Sequence, residues 1–156
     1  MLGSLFEKLW GPVVVEDRLP APPDEVYDVL ADPETYPDWL VGAERIRGVD
    51  SDFPRRGSKF EHSVGPAKGA TIDDRTESLG AQRNRHLTLL VHAGMFHGRV
   101  DFHLEPTGPG ATKITFAEQP VGPLAVLTPL LRPSFHGRNK RSLQQLRHRL
   151  KVGAPE

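Results

Sequence analysis

The stretch from Pro123 to Lys151 constrains this chain most. Leu124, Leu127, Leu130 and Leu131, then Phe135, Leu143, Leu146 and Leu150, recur there at helical intervals among polar residues. That spacing marks one buried face of a helix. Pro129, Pro133 and Gly137 interrupt the pattern, so a long but kinked helix is predicted. The chain before it reads as strands with a short helical insert. A half-buried sheet needs a cover, and this segment alone is long enough to supply one. The expected architecture is α+β, with the helix closing the open side of a curved sheet and any site lying between them.

The earlier elements follow in order. Leu2, Leu5, Phe6, Leu9 and Trp10 form a short amphipathic pattern, and residues 1–11 read as an extension before a single domain at 12–152. Pro12 to Leu19 alternates as a strand, with Val13, Val15, Asp17 and Leu19 on one face. Proline and two acids open a short helix carrying Val26, Val29 and Leu30. Asp32-Pro33 ends it, and Pro33 to Leu40 predicts one more helical turn. Strands are then expected at Ala43–Val49, Gly57–Val64, Gly69–Leu79, Arg83–His92, Met95–Glu105 and Ala111–Gln119. Turn chemistry separates them at Gly65-Pro66, Gly80-Ala81, Ala93-Gly94 and Pro106 to Gly110.

The Ala93-Gly94 hairpin can be tested for register. Phe96, Val100, Phe102 and Leu104 alternate with His97, Arg99, Asp101, His103 and Glu105. A two-residue turn at Ala93-Gly94 pairs Leu87 with Val100, Leu89 with Gly98 and Val91 with Phe96. Both apolar sets then share one face, whereas a one-residue slip would bring His86, Thr88 and His92 onto it. The greasy face is extended by Phe60, Val64, Ile114 and Phe116 and should look toward the C-terminal helix.

Charge narrows the partners. Twenty bases balance twenty acids and there is no cysteine. Nucleic-acid binding is not expected without a basic excess, and disulfides and thiolate metal sites are excluded. No apolar run approaches the roughly 18 residues a membrane span needs, so stable membrane insertion is not expected. The charged N-terminus is unlike a signal peptide, which makes a cytoplasmic location the expectation. Nothing in the sequence sets the oligomeric state. Arg132, Arg138, Lys140, Arg141, Arg147, Arg149 and Lys151 form an acid-free run. Two readings stand for it: a patch for an anionic partner or membrane surface, or cations that solvate a helix and complement its dipole.

The segment Ala21-Pro22-Pro23-Asp24-Glu25-Val26-Tyr27-Asp28-Val29-Leu30-Ala31-Asp32-Pro33-Glu34-Thr35-Tyr36-Pro37-Asp38-Trp39-Leu40 resembles the entry segment of the START-like (SRPBCC) superfamily, polyketide cyclase/dehydrase branch. That entry reads A-P-P-x-x-V-(aromatic)-x-x-L-x-D-P-x-x-Y-P-x-W. Weaker matches are Gly57-Ser58-Lys59-Phe60, Gly110-Ala111-Thr112-Lys113-Ile114-Thr115 and Asn139 to Leu146, so the likeness spans Val13 to Lys151. It implies a helix-grip fold: a curved antiparallel sheet of about seven strands wrapped on the long helix, two short helices after the first strand, and a deep apolar cavity. Such a fold fixes the place of a site and not its chemistry. Relatives bind lipids, sterols, polyketides, hormones or quinones, and some cyclise polyketides.

The expected partner is therefore a hydrophobic small molecule, held without cofactor or metal by a carrier or sensor. The candidate lining is Trp39, Phe60, Leu89, Phe96, Val100, Phe102, Phe116, Glu118, Leu127, Leu131 and Phe135. Trp39 and Tyr36 either line the cavity mouth or pack the short helices onto the sheet, and the phenylalanines serve as core or lining. An enzymatic alternative of the cyclase or aromatase type would use Asp17 and His62 as acid and base. His86, His92, His97 and His103 fall on the polar face, where solvated strand histidines are expected and not metal ligands. The entrance is expected beneath Leu127 and Leu131, where Pro129 and Pro133 lift the helix from the sheet.

Overall fold

The computed structural model describes residues 2–67 and 70–153. Helix α1 (Leu2–Trp10) precedes β1 (Val13–Leu19), α2 (Pro23–Leu30), a 3-10 turn at Pro33–Thr35 and α3 (Tyr36–Trp39). Strands β2 (Ala43–Val49), β3 (Lys59–Ala67), β4 (Ala70–Gln82), β5 (His86–Ala93), β6 (Phe96–Gly108) and β7 (Ala111–Val121) follow. A 3-10 segment, Gly122–Leu127, then leads into α4 (Thr128–Gly153). The strands form one antiparallel seven-stranded sheet in the order β1-β7-β6-β5-β4-β3-β2. This is an α+β helix-grip fold, with α4 as the gripped helix.

Local chemistry accounts for the insert between the edge strands. Asp24 and Glu25 sit in the first turn of α2, where carboxylates complement the helix dipole. The Asp32 side chain accepts from the Glu34 amide at 3.1 Å and caps the following turn. The insert then buries Tyr36 and Trp39 against the sheet, edge-on to Phe60 and Phe102 respectively.

Three expectations about turns and one about the helix change. The β5–β6 turn has two residues, but they are Gly94 and Met95. Leu87 therefore faces Phe102, Leu89 faces Val100 and Val91 faces Gly98. This is a shift of two residues, so every apolar side chain keeps its face. Gly94 has φ 63° while Met95 stays at negative φ, which suits the glycine-first hairpin turn. The pair Gly80-Ala81 is not a turn: β4 runs on through it with a bulge between Ser78 and Gly80. The chain reverses at Asn84 instead, whose φ is 64°, a value asparagine tolerates better than most side chains. Gly65-Pro66 likewise lies within β3, and the β3–β4 connection at residues 68–69 lies outside the described residues. The predicted single kinked helix is a 3-10 segment followed by α4. Pro129 falls in the first turn of α4, where its missing N–H costs nothing. Pro133 alone stands inside it.

The cover is anchored along its second half. Leu143, Leu146 and Leu150 are buried in the core with Val15, Leu19, Leu30 and Phe116, each worth roughly 2 kcal/mol of burial. Three ion pairs add directional ties: Arg138–Glu118 to β7, Arg147–Asp17 to β1 and Arg149–Asp38 to α3. Arg132 donates to the Gly11 carbonyl at 2.7 Å. Four of the seven bases in the acid-free run are thus engaged with the rest of the fold, which accounts for much of that run without an external partner.

Candidate functional site

The register defines which side chains face α4. Directly opposed residues share a face, so the concave surface runs from His62 and Phe60 on β3 through Asp74 and Thr76 on β4 to Leu89 and Val91 on β5. It continues through Gly98, Val100 and Phe102 on β6 to Phe116 and Glu118 on β7 and Val13, Val15 and Asp17 on β1. One end of this surface is filled. Tyr36, Trp39, Leu87, Phe102, Leu104 and Ile114 are buried there. The other end is open. Phe96, Val91 and Leu131 are only half-buried. Met95 in the β5–β6 turn and Ile72 beside it are 72% and 49% exposed, and Leu127 and Leu130 at the start of α4 are 41% and 79% exposed.

The predicted lining residues divide between these ends. Trp39 lies wholly inside the closed end and not at a mouth. Its indole N–H donates to Thr35 Oγ1 at 3.1 Å, so it has no polar handle left for a ligand. Phe60, Leu89, Val100, Phe102 and Phe116 are buried in the same continuous core. Phe96 and Phe135 meet edge-on at 5.6 Å; Leu127 is exposed and Leu131 half-buried where the 3-10 segment runs into α4. Glu118 is buried between sheet and helix, where Arg138 and Asn139 both donate to its Oε1. The Arg138 guanidinium also lies 4.5 Å over the Phe135 ring. These partners left no trace in the alternation that placed Glu118 on this face. They come from a helix 20 residues further on.

Asp17 and His62 both face inward, but the structure does not bring them together. Four strands lie between β1 and β3 in the sheet. Asp17 is occupied by Arg147 at 3.7 Å and by the Arg18 amide at 2.8 Å. His62 is 1% exposed, and among the described residues neither ring nitrogen makes a well-formed hydrogen bond. Burial holds its pKa below 6.5; the nearby Arg75 backbone and the Asp74 carboxylate pull the other way without reversing it. The imidazole is therefore neutral at pH 7. Asp74 sits opposite it across the strand pair. Burial raises the Asp74 pKa, but the Gly94 and Arg75 amides and the charges of His92 and Arg75 outweigh this and lower it, so Asp74 is an anion. On the convex face His92 and His97 meet Nδ1 to Nδ1 at 2.8 Å, so one ring donates and the other accepts.

The neutral His62 gives a pH prediction. The unfolded chain takes up a proton near pH 6.5 that the folded site resists. Folding stability is then whole above 6.5 and falls as pH drops through 6.5 toward the lower folded value. His62→Phe should remove this contribution and stabilise the protein at pH 7 by about 1–2 kcal/mol, because it deletes two unsatisfied buried nitrogens. Urea denaturation at pH 7 and pH 5 checks both effects. A variant whose pH dependence matches the wild type would show that His62 is not the responsible group.

Two surface pockets lie elsewhere. One of about 810 Å³ runs past Asn84, Arg85, His86, His103 and Glu105. The other, of about 680 Å³, lies on the outer side of α4 beside Asp38 and Arg149. Both are lined mostly by polar or charged residues, whereas the open end of the concave face is walled by apolar ones.

A curved sheet gripping a terminal helix, greasy on its inner face and open at one end, defines the helix-grip class. The chain belongs to the START-like superfamily, in the family described as polyketide cyclase/dehydrase and lipid transport, whose model matches residues 12–151. Solved structures share the fold at low identity. A START superfamily protein from Mycobacterium smegmatis is 17% identical, with a TM-score of 0.73 over 92% of this chain and 99% of that one. A Nitrosomonas europaea protein is 18% identical, with a TM-score of 0.71 over 90% and 94%. A Thermus thermophilus protein is 16% identical, with a TM-score of 0.68 over 92% and 99%. No curated protein matches the chain. Among the described residues, no helix is long and apolar enough to cross a membrane.

Proposed function

We propose that this protein binds a hydrophobic small molecule beneath the first turns of α4, as a carrier or sensor. One observation carries the reading. The concave face passes from fully buried side chains at Trp39 and Phe102 to half-buried Val91 and Phe96, next to exposed Met95 and Ile72 at the β5–β6 turn, while the start of α4 leaves Leu131 half-buried and Leu127 and Leu130 exposed. Apolar surface gathered in this way in a concave setting is the usual mark of a ligand site. The family description, which includes lipid transport, supports the same class of ligand.

Nile red added to the full-length protein should gain fluorescence and shift to the blue. Leu131→Asp, which sets a carboxylate in the apolar wall, should weaken that binding about tenfold. Native mass spectrometry of protein purified without detergent should show a bound apolar species. Absence of any Nile red response together with a single unliganded mass would refute the reading. An acid–base role for Asp17 gains no support, because its carboxylate is held by Arg147.

A further inference from the structure

Among the described residues, His62 is the one buried side chain on the concave face whose polar atoms make no well-formed hydrogen bond; the Arg75 backbone is close enough to favour the charged imidazole without completing one. Its place in the sheet gives it a specific setting. Asp74 and Ile46 face it across β4 and β2, and the Phe60 ring stands 5.7 Å away on its own strand. Ile72, half exposed at the rim, is its diagonal neighbour on β4. Behind the Ile72 rim the concave face therefore presents two polar side chains side by side, Asp74, whose carboxylate is held by the Gly94 and Arg75 amides, and His62, which is not held. A neutral imidazole carries one N–H donor and one acceptor nitrogen, and buried groups of this kind are nearly always satisfied.

The neighbouring charges choose among ligands. Asp74 is anionic and directly opposite. Glu118 faces inward on β7 and is held by Arg138 and Asn139. Arg147 is paired with Asp17. Arg47 reaches the backbone carbonyls of His62 and Asp74 at 3.4 and 3.2 Å and lies beside Glu61 and Asp73, so it is spent at the strand edge. Arg75 is paired with Asp74 itself at 3.8 Å. Among the described residues, a carboxylate ligand would thus meet Asp74 with no unpaired cation beside it to receive it.

We infer that His62 is the polar anchor of the site and that the ligand is an uncharged apolar molecule bearing a hydroxyl or carbonyl group, not a fatty acid or other carboxylate. This rests on the ligand-binding reading above and narrows it. A hydroxyl hydrogen-bonds to the acceptor nitrogen, or a carbonyl accepts from the N–H, while the hydrocarbon body covers Val91, Phe96 and Leu131.

Naphthol, methylnaphthalene and naphthoate separate the possibilities, titrated into the full-length protein by intrinsic probe fluorescence. Naphthol should bind about tenfold more tightly than either of the others, the worth of one buried hydrogen bond relieving an unsatisfied partner. The imidazole nitrogen resonances of His62 should move with naphthol and not with methylnaphthalene. His62→Phe should close the gap between naphthol and methylnaphthalene, and His62→Gln, which keeps a donor and an acceptor, should retain most of it. The glutamine variant also serves if the phenylalanine variant does not fold. Naphthoate binding as tightly as naphthol, or a naphthol preference that survives His62→Phe, overturns the inference and leaves apolar binding intact. Failure of all three probes to bind the wild type overturns both.

Discussion

Alanine in place of Trp39 is expected to destabilise the protein by about 3–5 kcal/mol. The indole is 0% exposed. It lies edge-on to Tyr36 at 5.3 Å and to Phe102 at 6.1 Å, and its N–H is bound to a Thr35 hydroxyl whose one proton is shared between the Val29 and Asp32 carbonyls. Truncation removes the largest side chain joining the short-helix insert to the sheet. The neighbours that would have to collapse inward are held by their own bonds: the Tyr36 hydroxyl donates to the Leu30 carbonyl. The void therefore persists, which places the cost in the upper part of the range for large-to-small changes. In a chain of this size each kcal/mol lowers Tm by roughly 2–4 °C. Thermal melts followed by circular dichroism measure this directly. Trp39→Phe should cost less and leave Nile red affinity within about twofold of wild type, because the ring faces the closed end. A large loss of affinity in that variant would return Trp39 to the ligand site.

The division between legible and hidden features follows from the range of the interactions. Strand faces were readable because alternation is local: Phe96, Val100, Phe102 and Leu104 declare a face without any knowledge of their partner strand. The β5–β6 register was missed by two residues for the same reason. Alternation has a period of two, so it cannot separate a turn at Ala93-Gly94 from one at Gly94-Met95. Gly80 misled because glycine serves bulges as well as turns. Leucine spacing located α4 but did not mark its start, since Leu124 and Leu127 in the 3-10 segment continue the same rhythm. The site was legible only as a list. Asp17, His62 and Glu118 were all placed inward correctly. Their fates diverged through partners on other segments, with Arg147 taking Asp17, Arg138 and Asn139 taking Glu118, and no side chain among the described residues taking His62. No periodic signal encodes such pairings.

Glu118 provides the second large effect. Its side chain is 6% exposed against 33% for Arg138, so the pair is buried on one side and partly wet on the other. Glu118→Ala would leave the guanidinium and the Asn139 amide without their shared acceptor. Breaking a fully buried pair costs about 3–5 kcal/mol; solvent reaching Arg138 lowers the expectation here to about 2–3 kcal/mol. Glu118→Gln keeps an acceptor oxygen and should lose about half as much. Glu118→Leu combined with Arg138→Met removes both charges and should recover part of the loss. Recovery stays incomplete because the buried Asn139 amide remains unpaired. The location gives the prediction a second readout. Arg138 ties α4 to β7 just past Leu131 and Phe135, and Ser142 secures the next turn by accepting from the Val41 amide at 2.9 Å. Loosening the first tie while the second holds should free the segment from Thr128 to Arg138 and leave Leu143–Leu150 clamped. Hydrogen exchange should accordingly accelerate in the first half of α4 in Glu118→Ala and remain slow in the second. Equal acceleration along the whole helix would mean that Glu118 supports the fold in general and does not hold the cover over the open end.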